Sequence, residues 1–197
     1  MSEHLPLYLV AFFTACVAIG LWYPLSVRIG LVDIPRGRKQ HQGAVPLIGG
    51  IATYCGLATA LLLLADSSIQ PFYYLACSGV IVVLGVFDDY LDLSVKLRLA
   101  VQTLVGLAMT YSLDLHIASL GNLFGFGVVE LGVLGLPITL IAVIAAINAF
   151  NMTDGIDGLA GMLSLVSFIT LAIFMTLWGQ QLYATLALVI AIALLPY

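Results

Sequence analysis

Long apolar runs alternate with short polar breaks along the chain, and this pattern predicts membrane-spanning helices. A helix needs about 20 mainly apolar residues to cross the ~30 Å hydrocarbon layer. Backbone groups in lipid must also form their hydrogen bonds within the protein. The runs are continuous and do not alternate at every second residue, which argues against a small β-barrel. Spans are expected near residues 5–27, 47–65, 71–87, 99–114, 133–150, 158–177 and 182–197. The expected fold is an all-α, polytopic transmembrane helical bundle of about seven spans.

Composition agrees with this pattern. Hydrophobic residues make up 62% of the 197 residues and charged residues only 8%, whereas soluble domains are roughly 45–50% apolar and about 25% charged. The spans leave little chain for a soluble domain, so residues 1–197 are expected to form one transmembrane domain. The cysteines lie inside apolar runs, in no spacing typical of a zinc site or a disulfide framework.

The basic residues predict the orientation. All six lie in two connections, 28–46 and 88–98, which two spans separate and which therefore share one side. The positive-inside rule makes that side cytoplasmic and the N-terminus external. Counting on by two spans brings residues 148–157 to the same side. On the other side, the glycine-rich segment 116–132 predicts a short extracytoplasmic β-hairpin, with a plain connecting loop as the alternative.

The first candidate site is an acidic cluster at the end of the third span. Asp88, Asp89 and Asp92 stand close together, and like charges at this spacing repel unless a cation compensates. Carboxylate oxygens suit Mg²⁺, which takes one or two of them plus substrate phosphates. Lys96 and Arg98 follow and could hold phosphate oxygens. The alternative is a solvated acidic helix end.

Two further segments fall on the same face. Asn151, Asp154 and Asp157 belong to a run with two Asp-Gly steps, where glycine allows close backbone approach to a ligand and the side chains offer oxygen donors. The first connection carries Arg38, Lys39 and His41 just before a Gly-Gly pair, which suggests an anion-binding edge. The alternative for the Asp-Gly run is an ordinary polar turn. The alternative for the first connection is that its basic residues only anchor the topology and that His41 is a surface histidine. Acidic clusters and a basic loop on one face together favour Mg²⁺-dependent phosphoryl transfer to a lipid phosphate.

Three motifs carry a family resemblance: GLVD-P--RK-HQG--PL-GGI, FDDYLDLSVKLR and NAFNMTDGIDGLAG. In these motifs, and over essentially its whole length, the chain resembles the polyprenyl-phosphate N-acetylhexosamine-1-phosphate transferases of glycosyltransferase family 4. The wording HQGAVPLIGG is closer to the N-acetylglucosamine branch of that family.

The resemblance implies an enzyme of the bacterial inner membrane with a cytoplasmic active face, acting early in cell-envelope polysaccharide synthesis. Its substrates would be UDP-N-acetylglucosamine and undecaprenyl phosphate, and its products a lipid-linked sugar and UMP. Its cofactor would be Mg²⁺, with Mn²⁺ as an alternative. No nucleic-acid partner is expected, and the oligomeric state stays open, a homodimer included. Asp88 and Asp89 match the paired catalytic carboxylates of the family, with Asp88 as a base or a phosphate-positioning group. Asn151, Asp154 and Asp157 match the metal and nucleotide-sugar loop, and Lys39 matches the basic residue of the first loop.

The sequence also admits other interpretations. A related transferase could use another UDP-sugar. A transporter would need polar groups near span midpoints, where Gln102 and Thr103 are the notable candidates. A CDP-alcohol phosphatidyltransferase would need Ala-Arg after an Asp-Gly, and a soluble prenyl synthase would be far less hydrophobic.

Members of the resembled family also have a later Gly-Asp loop and a His-rich loop. Neither occurs here, so the chain is expected to be an N-terminal fragment that is inactive by itself.

Overall fold

The computed structural model describes residues 4–33, 45–64, 70–153 and 158–197, most of which lie in seven α-helices. The helices are α1 (Leu5–Ile29), α2 (Gly49–Leu64), α3 (Gln70–Leu91), α4 (Val95–Leu113), α5 (Gly135–Thr153), α6 (Leu159–Leu177) and α7 (Gln181–Leu194). Two short strands, β1 (Val32–Asp33) and β2 (Val45–Pro46), lie between α1 and α2. Each helix falls on one of the apolar runs, so the predicted all-α class is confirmed.

Large apolar side chains cover the outside of the bundle, and small ones line its interior. Phe13, Leu104 and Ile141, on three different helices, are 60%, 65% and 66% exposed. The buried positions of α1, α2 and α7 are mainly alanines. Membrane helices pack in this way, because lipid provides no force that drives large apolar side chains inward and small residues let backbones approach. The chain is therefore a membrane protein, as predicted.

The predicted number of spans is only partly met. Within the described residues, four helices are long and apolar enough to cross a membrane: Leu5–Ile29, Phe72–Leu91, Gly132–Thr153 and Leu159–Leu177. Helices α2 and α7 are apolar but have 16 and 14 residues, which gives about 24 and 21 Å at the α-helical rise. Helix α4 has 19 residues but begins with Lys96 and Arg98 in its first turn. The positions of the seven predicted spans are right, whereas the count of seven full-length spans is not.

The helices extend further into the polar motifs than the apolar runs indicate. Helix α3 continues to Leu91 and α4 begins at Val95, so the connection between them is only residues 92–94. Ser94 caps α4, because its hydroxyl accepts a hydrogen bond of 3.4 Å from the Leu97 N–H. Asp92 follows α3 in the left-handed conformation, with φ +51°. The charged residues of this segment therefore stand on helix ends.

The core lies where α1, α2 and α7 meet. Gly56 of α2 has no side chain to separate the helices: a Cβ atom there would lie 2.7 Å from the Ala11 carbonyl oxygen and 2.9 Å from the Ala193 Cβ. The buried cluster around it includes Leu7, Ala15 and Val189. The backbones approach closely at this point because the residues are small.

One end of the bundle, which we call the basic end, carries the strand pair and the α3–α4 connection. Strands β1 and β2 are antiparallel, with Val32 opposite Pro46, and thereby bring together the two flanks of residues 34–44. Ile29 and Leu31 line a small hollow with Val86, Phe87 and Tyr90, so the end of α1 lies beside the end of α3. The described basic residues, Arg28, Lys96 and Arg98, thus stand at one end, in agreement with the predicted topology.

The opposite end carries the hairpin that the glycine-rich segment predicts. The Leu120 N–H donates to the Val129 carbonyl at 2.9 Å, and the Leu131 N–H donates to the Ala118 carbonyl at 2.9 Å. Ser119 and Glu130 form an antiparallel bridge between them. Residues 118–131, called the hairpin below, therefore connect α4 to α5 as an antiparallel turn and not as a plain loop.

The close approach at Gly56 predicts a selective loss of stability in a Gly56→Ala variant. The added methyl group must push α1 and α7 away from α2, which we expect to lower the free energy of unfolding by about 1–3 kcal/mol. Gly20→Ala in α1 is the matched control, since a Cβ there meets nothing within 4 Å and alanine favours a helix by up to about 1 kcal/mol. Thermal unfolding of both variants in detergent measures the difference, and equal midpoints would contradict this account of the core.

Candidate active site

A cavity of about 560 Å³ opens among α2 to α7 and brings the second and third motifs together. Its polar lining includes Asp88, Asp89, Arg98 and Asn151, and its deeper wall is apolar, with Leu57, Ile81, Val82, Phe168 and Ile190 among the lining residues. The first residues of α2, Gly49 and Gly50, also line it. A cavity with a few convergent polar groups and apolar walls is typical of a ligand-binding site.

Asp88 is held by two protein donors. Its Oδ2 forms a salt bridge of 2.7 Å with Arg98 Nη1, and its Oδ1 accepts a hydrogen bond of 3.2 Å from the Leu93 N–H. The first contact joins α3 to α4, and the second closes the short turn between them. Only 14% of the Asp88 side chain is exposed, so these charge-assisted contacts lie in a partly desolvated setting. Asp88 therefore stabilises the turn between α3 and α4. Its neighbour Asp89 also lines the cavity.

Arg98 keeps one donor without a partner among the described residues. Its Nη1 is taken by Asp88, while its Nε is buried and forms no hydrogen bond there. A buried donor of this kind loses free energy unless a ligand or water satisfies it. The hydroxyl of Thr53 is in the same situation, and both residues line the cavity. The cavity thus presents unsatisfied polar groups that a polar ligand would satisfy.

A hydrogen bond between two helices positions the asparagine motif. Asn148 Nδ2 on α5 donates to Gln102 Oε1 on α4 at 2.8 Å, and Gln102 is only 4% exposed. Asn151 follows one turn later and reaches the cavity. The mid-span polar groups that a transporter would use are bonded within the protein, since Thr103 Oγ1 donates to the Leu99 carbonyl at 2.7 Å. The Gln102–Asn148 bond joins α4 to α5, whereas the Thr103 bond stays within α4.

Five of the predicted site residues lie outside the described residues: Arg38, Lys39, His41, Asp154 and Asp157. Of the others, Asp88, Asp89, Arg98 and Asn151 line one cavity, whereas Lys96 is not among its lining residues. Described residues close to these positions in the sequence do line the cavity, namely Leu47 just after β2 and Ala160 at the start of α6. The structure thus brings together the described part of the predicted site.

The described residues contain no group of three or more His, Cys, Asp or Glu side chains that could hold a metal ion. Asp88 and Asp89 are the two acids in the cavity lining. Two carboxylates fit a Mg²⁺ ion that also takes oxygen ligands from substrate phosphates. Asp154, the third predicted metal ligand, is among the residues outside the description.

One contributor to the cavity was missed by the sequence reasoning. The ring of Tyr197 lies against the first turns of α2 and α6: a Cβ atom at Gly49 would be 2.7 Å from it, and one at Gly161 would be 3.4 Å from it. Tyr197 also lines the cavity. The available signal was a glycine at the start of each of these helices, which indicates close approach of another group.

Comparison with known proteins gives a consistent family. The model of "Glycosyl transferase family 4" matches residues 71–197. Among curated proteins, the undecaprenyl-phosphate alpha-N-acetylglucosaminyl 1-phosphate transferase of Salmonella typhi is 43% identical over 198 aligned residues, covering 100% of this chain and 53% of that protein.

Two relatives of the same name show similar agreement. That of Pasteurella multocida is 41% identical over 189 residues, covering 96% of this chain and 53% of that protein. That of Yersinia pestis is 46% identical over 119 residues, covering 60% of this chain and 32% of that protein. The chain thus spans at most about half the length of these curated relatives.

The Asp88–Arg98 contact predicts coupling between α3 and α4 in a double-mutant cycle. Arg98→Met leaves the Asp88 carboxylate without its cation, which we expect to lower the free energy of unfolding by about 1.5–3 kcal/mol. Asp88→Asn combined with Arg98→Met should lose less than the sum of the single changes, because the two side chains interact. Lys96→Met, exposed on the same turn, is the control, and additive losses measured by denaturation would exclude the coupling.

Proposed function

Because the chain belongs to glycosyl transferase family 4, we propose that it transfers N-acetylglucosamine 1-phosphate from UDP-N-acetylglucosamine to undecaprenyl phosphate and releases UMP. In support, its relatives are named undecaprenyl-phosphate alpha-N-acetylglucosaminyl 1-phosphate transferases. The proposed location is the bacterial inner membrane, with the basic end facing the cytoplasm, because all six basic residues of the chain belong to the two connections assigned to that side. The product would enter the synthesis of a cell-envelope polysaccharide.

The observation that carries the proposal is the shared cavity of the acidic and asparagine motifs. Asp88 and Asp89 come from α3, Arg98 from α4 and Asn151 from α5, yet all line one space. Its apolar wall suits a polyprenyl chain that arrives through the membrane, and its polar lining suits a diphosphate. This combination supports a reaction between a lipid phosphate and a water-soluble nucleotide sugar.

The proposed reaction is a displacement at phosphorus. A phosphate oxygen of undecaprenyl phosphate forms a bond to the β-phosphorus of UDP-N-acetylglucosamine, and the bond from that phosphorus to the bridging oxygen breaks. UMP leaves with that oxygen, and the sugar stays on the lipid as a diphosphate. Charge develops on phosphate oxygens throughout, so the main requirement is cationic groups that neutralise it.

Arg98 is the best-supported phosphate ligand in the described part of the chain. Its Nη1 is fixed by Asp88, so the guanidinium is oriented before substrate arrives, and its Nε is the buried donor without a partner there. Guanidinium groups bind phosphate oxygens with defined geometry. We assign Asp88 to orient Arg98 through their salt bridge. Lys96, Arg38, Lys39 and His41 are proposed as further anion-binding groups.

Asp89, Asp88 and Asp154 are the proposed ligands of Mg²⁺, for which Mn²⁺ could substitute. When bound, the ion would neutralise charge on the diphosphate oxygens. Asn151 and Asp157 are proposed to hold the nucleotide sugar through hydrogen bonds. The position of Asn151 in the cavity supports its part of this assignment, and the resemblance in the third motif supports the part of Asp157.

The activity is testable in a hybrid protein in which this chain replaces the matched 53% of the Salmonella typhi relative. We expect membranes that contain the hybrid to release UMP from UDP-N-acetylglucosamine only when undecaprenyl phosphate and Mg²⁺ are both present. A second hybrid with the Pasteurella multocida relative controls for a poor junction. Absence of UMP release from both hybrids, when both are inserted in the membrane at normal levels, would overturn the proposal.

A comparison of Asp89 with the nearby Asp92 tests whether Asp89 has a specific catalytic role or only adds negative charge. In the hybrid, Asp89→Asn should lower kcat about 10²–10³-fold, as removal of one electrostatic contribution to a transition state typically does. Asp92→Asn is the matched control: Asp92 lies beyond the end of α3, is not among the cavity-lining residues, and has a left-handed backbone that asparagine tolerates. Rates of UMP release that fall equally in both variants, or in neither, would contradict the assignment of Asp89.

A further inference from the structure

The tip of the hairpin, residues 121–129, exposes an unusual concentration of apolar side chains. Phe126 is 96% exposed, and Leu123, Phe124 and Val128 are each exposed by more than 60%. No ionisable residue occurs between His116 and Glu130. A patch of this kind on a protein usually contacts another apolar phase.

Hydrogen bonds within the hairpin give the tip a defined conformation. Two backbone hydrogen bonds, Leu120 to Val129 and Val129 to Gly121, hold its two arms together. Asn122 Oδ1 accepts a hydrogen bond of 3.0 Å from the Gly127 N–H across the turn. Gly125 and Gly127, with φ of +76° and +111°, supply the left-handed backbone that the turn requires. The apolar side chains are therefore presented on an ordered turn.

The base of the hairpin is tied to the helix ends. The Ile117 N–H donates to Thr139 Oγ1 in the first turns of α5 at 2.9 Å, and Gly135 is packed against the Ile117 carbonyl. Because α4 and α5 belong to the membrane bundle, their ends lie near the boundary between lipid and water. The arm from Ala118 to Phe124 extends up to about 20 Å from this base at the strand rise, so the tip has the lipid surface within reach.

The chemistry of the tip favours lipid over a protein partner. Protein interfaces are enriched in tyrosine, tryptophan and arginine and have a polar rim, whereas the tip carries phenylalanine, leucine, valine and glycine only, apart from Asn122. Its exposed backbone groups still need hydrogen bonds, so they exclude deep insertion into the hydrocarbon. They are compatible with the region just below the headgroups.

We propose that the hairpin tip, led by Phe124 and Phe126, inserts into the membrane surface at the end of the bundle opposite the cavity. The tip is thus a shallow lipid anchor between α4 and α5. This inference needs only the membrane location of the bundle and is independent of the proposed transferase activity.

Spin labelling tests the insertion. The full chain, with Cys16, Cys55 and Cys77 replaced by alanine, receives a nitroxide at Phe126→Cys and is placed in vesicles of phosphatidylethanolamine and phosphatidylglycerol. Power saturation then compares collisions with oxygen, which concentrates in lipid, and with a water-soluble nickel chelate. We expect oxygen to dominate at residue 126, and at residue 124 in a Phe124→Cys variant made in case one label disturbs the turn.

Two other label positions calibrate the result. Asp114→Cys, at the end of α4 with a side chain 96% exposed, should favour the nickel chelate. Leu104→Cys, on the outer surface of α4 midway along the helix, should favour oxygen more than residue 126 does. Labels at 124 and 126 that behave like the one at 114 would place the tip in water and overturn the proposal. Labels shielded from both reagents would also overturn it, because a protein surface would then cover the tip.

Discussion

A polar group within a membrane protein must find its partner inside the protein or at the water boundary, and this requirement organises the whole structure. The middles of the helices satisfy it with apolar side chains outside and small ones inside. Polar side chains at depth bond within their own helix, as Thr110 does to the Gly106 carbonyl, or across helices, as Asn148 does to Gln102. Charged residues stand at helix ends, where water is available. The cavity lies where both conditions meet: its apolar wall runs into the bundle and its polar lining faces the basic end.

The same requirement explains how Asp88 and Arg98 can stand on two neighbouring helices of a membrane bundle. A carboxylate with little exposure would be costly alone, but its two oxygens accept from Arg98 and from the Leu93 N–H. The pair also fixes the angle between α3 and α4, since each helix contributes one partner. The contacts that allow charge to be buried are therefore those that orient it toward the cavity.

Much of the fold follows from the sequence because hydrophobic runs have one dominant physical meaning at this composition. The seven helices fall where the apolar runs predict them, and the glycine-rich segment forms the predicted hairpin. Their ends could not be located in this way, because hydropathy counts Asp88 and Lys96 as breaks, whereas α3 continues past Asp88 to Leu91 and the Ser94 cap starts α4 before Lys96. The length of α7 was overestimated for a related reason, since Leu195, Pro196 and Tyr197 follow its last helical residue.

The residues of the candidate site were predictable from the sequence, but the cavity that they line was not. Topology alone placed the acidic and asparagine motifs on one side, because an even number of spans separates them. That Asp88 pairs with Arg98, and that Tyr197 packs on Gly49 and Gly161, depends on the packing of helices far apart in sequence. Helices α4 and α5 link the two ends of the molecule: they carry Arg98 and Asn151 into the cavity at one end and support the apolar hairpin at the other. A shallow lipid contact at the hairpin would restrict how this helix pair tilts in the bilayer, and the Gln102–Asn148 bond joins the same two helices at the cavity, which Gln102 lines. The depth of the site below the lipid surface would then be set from both ends of the same two helices.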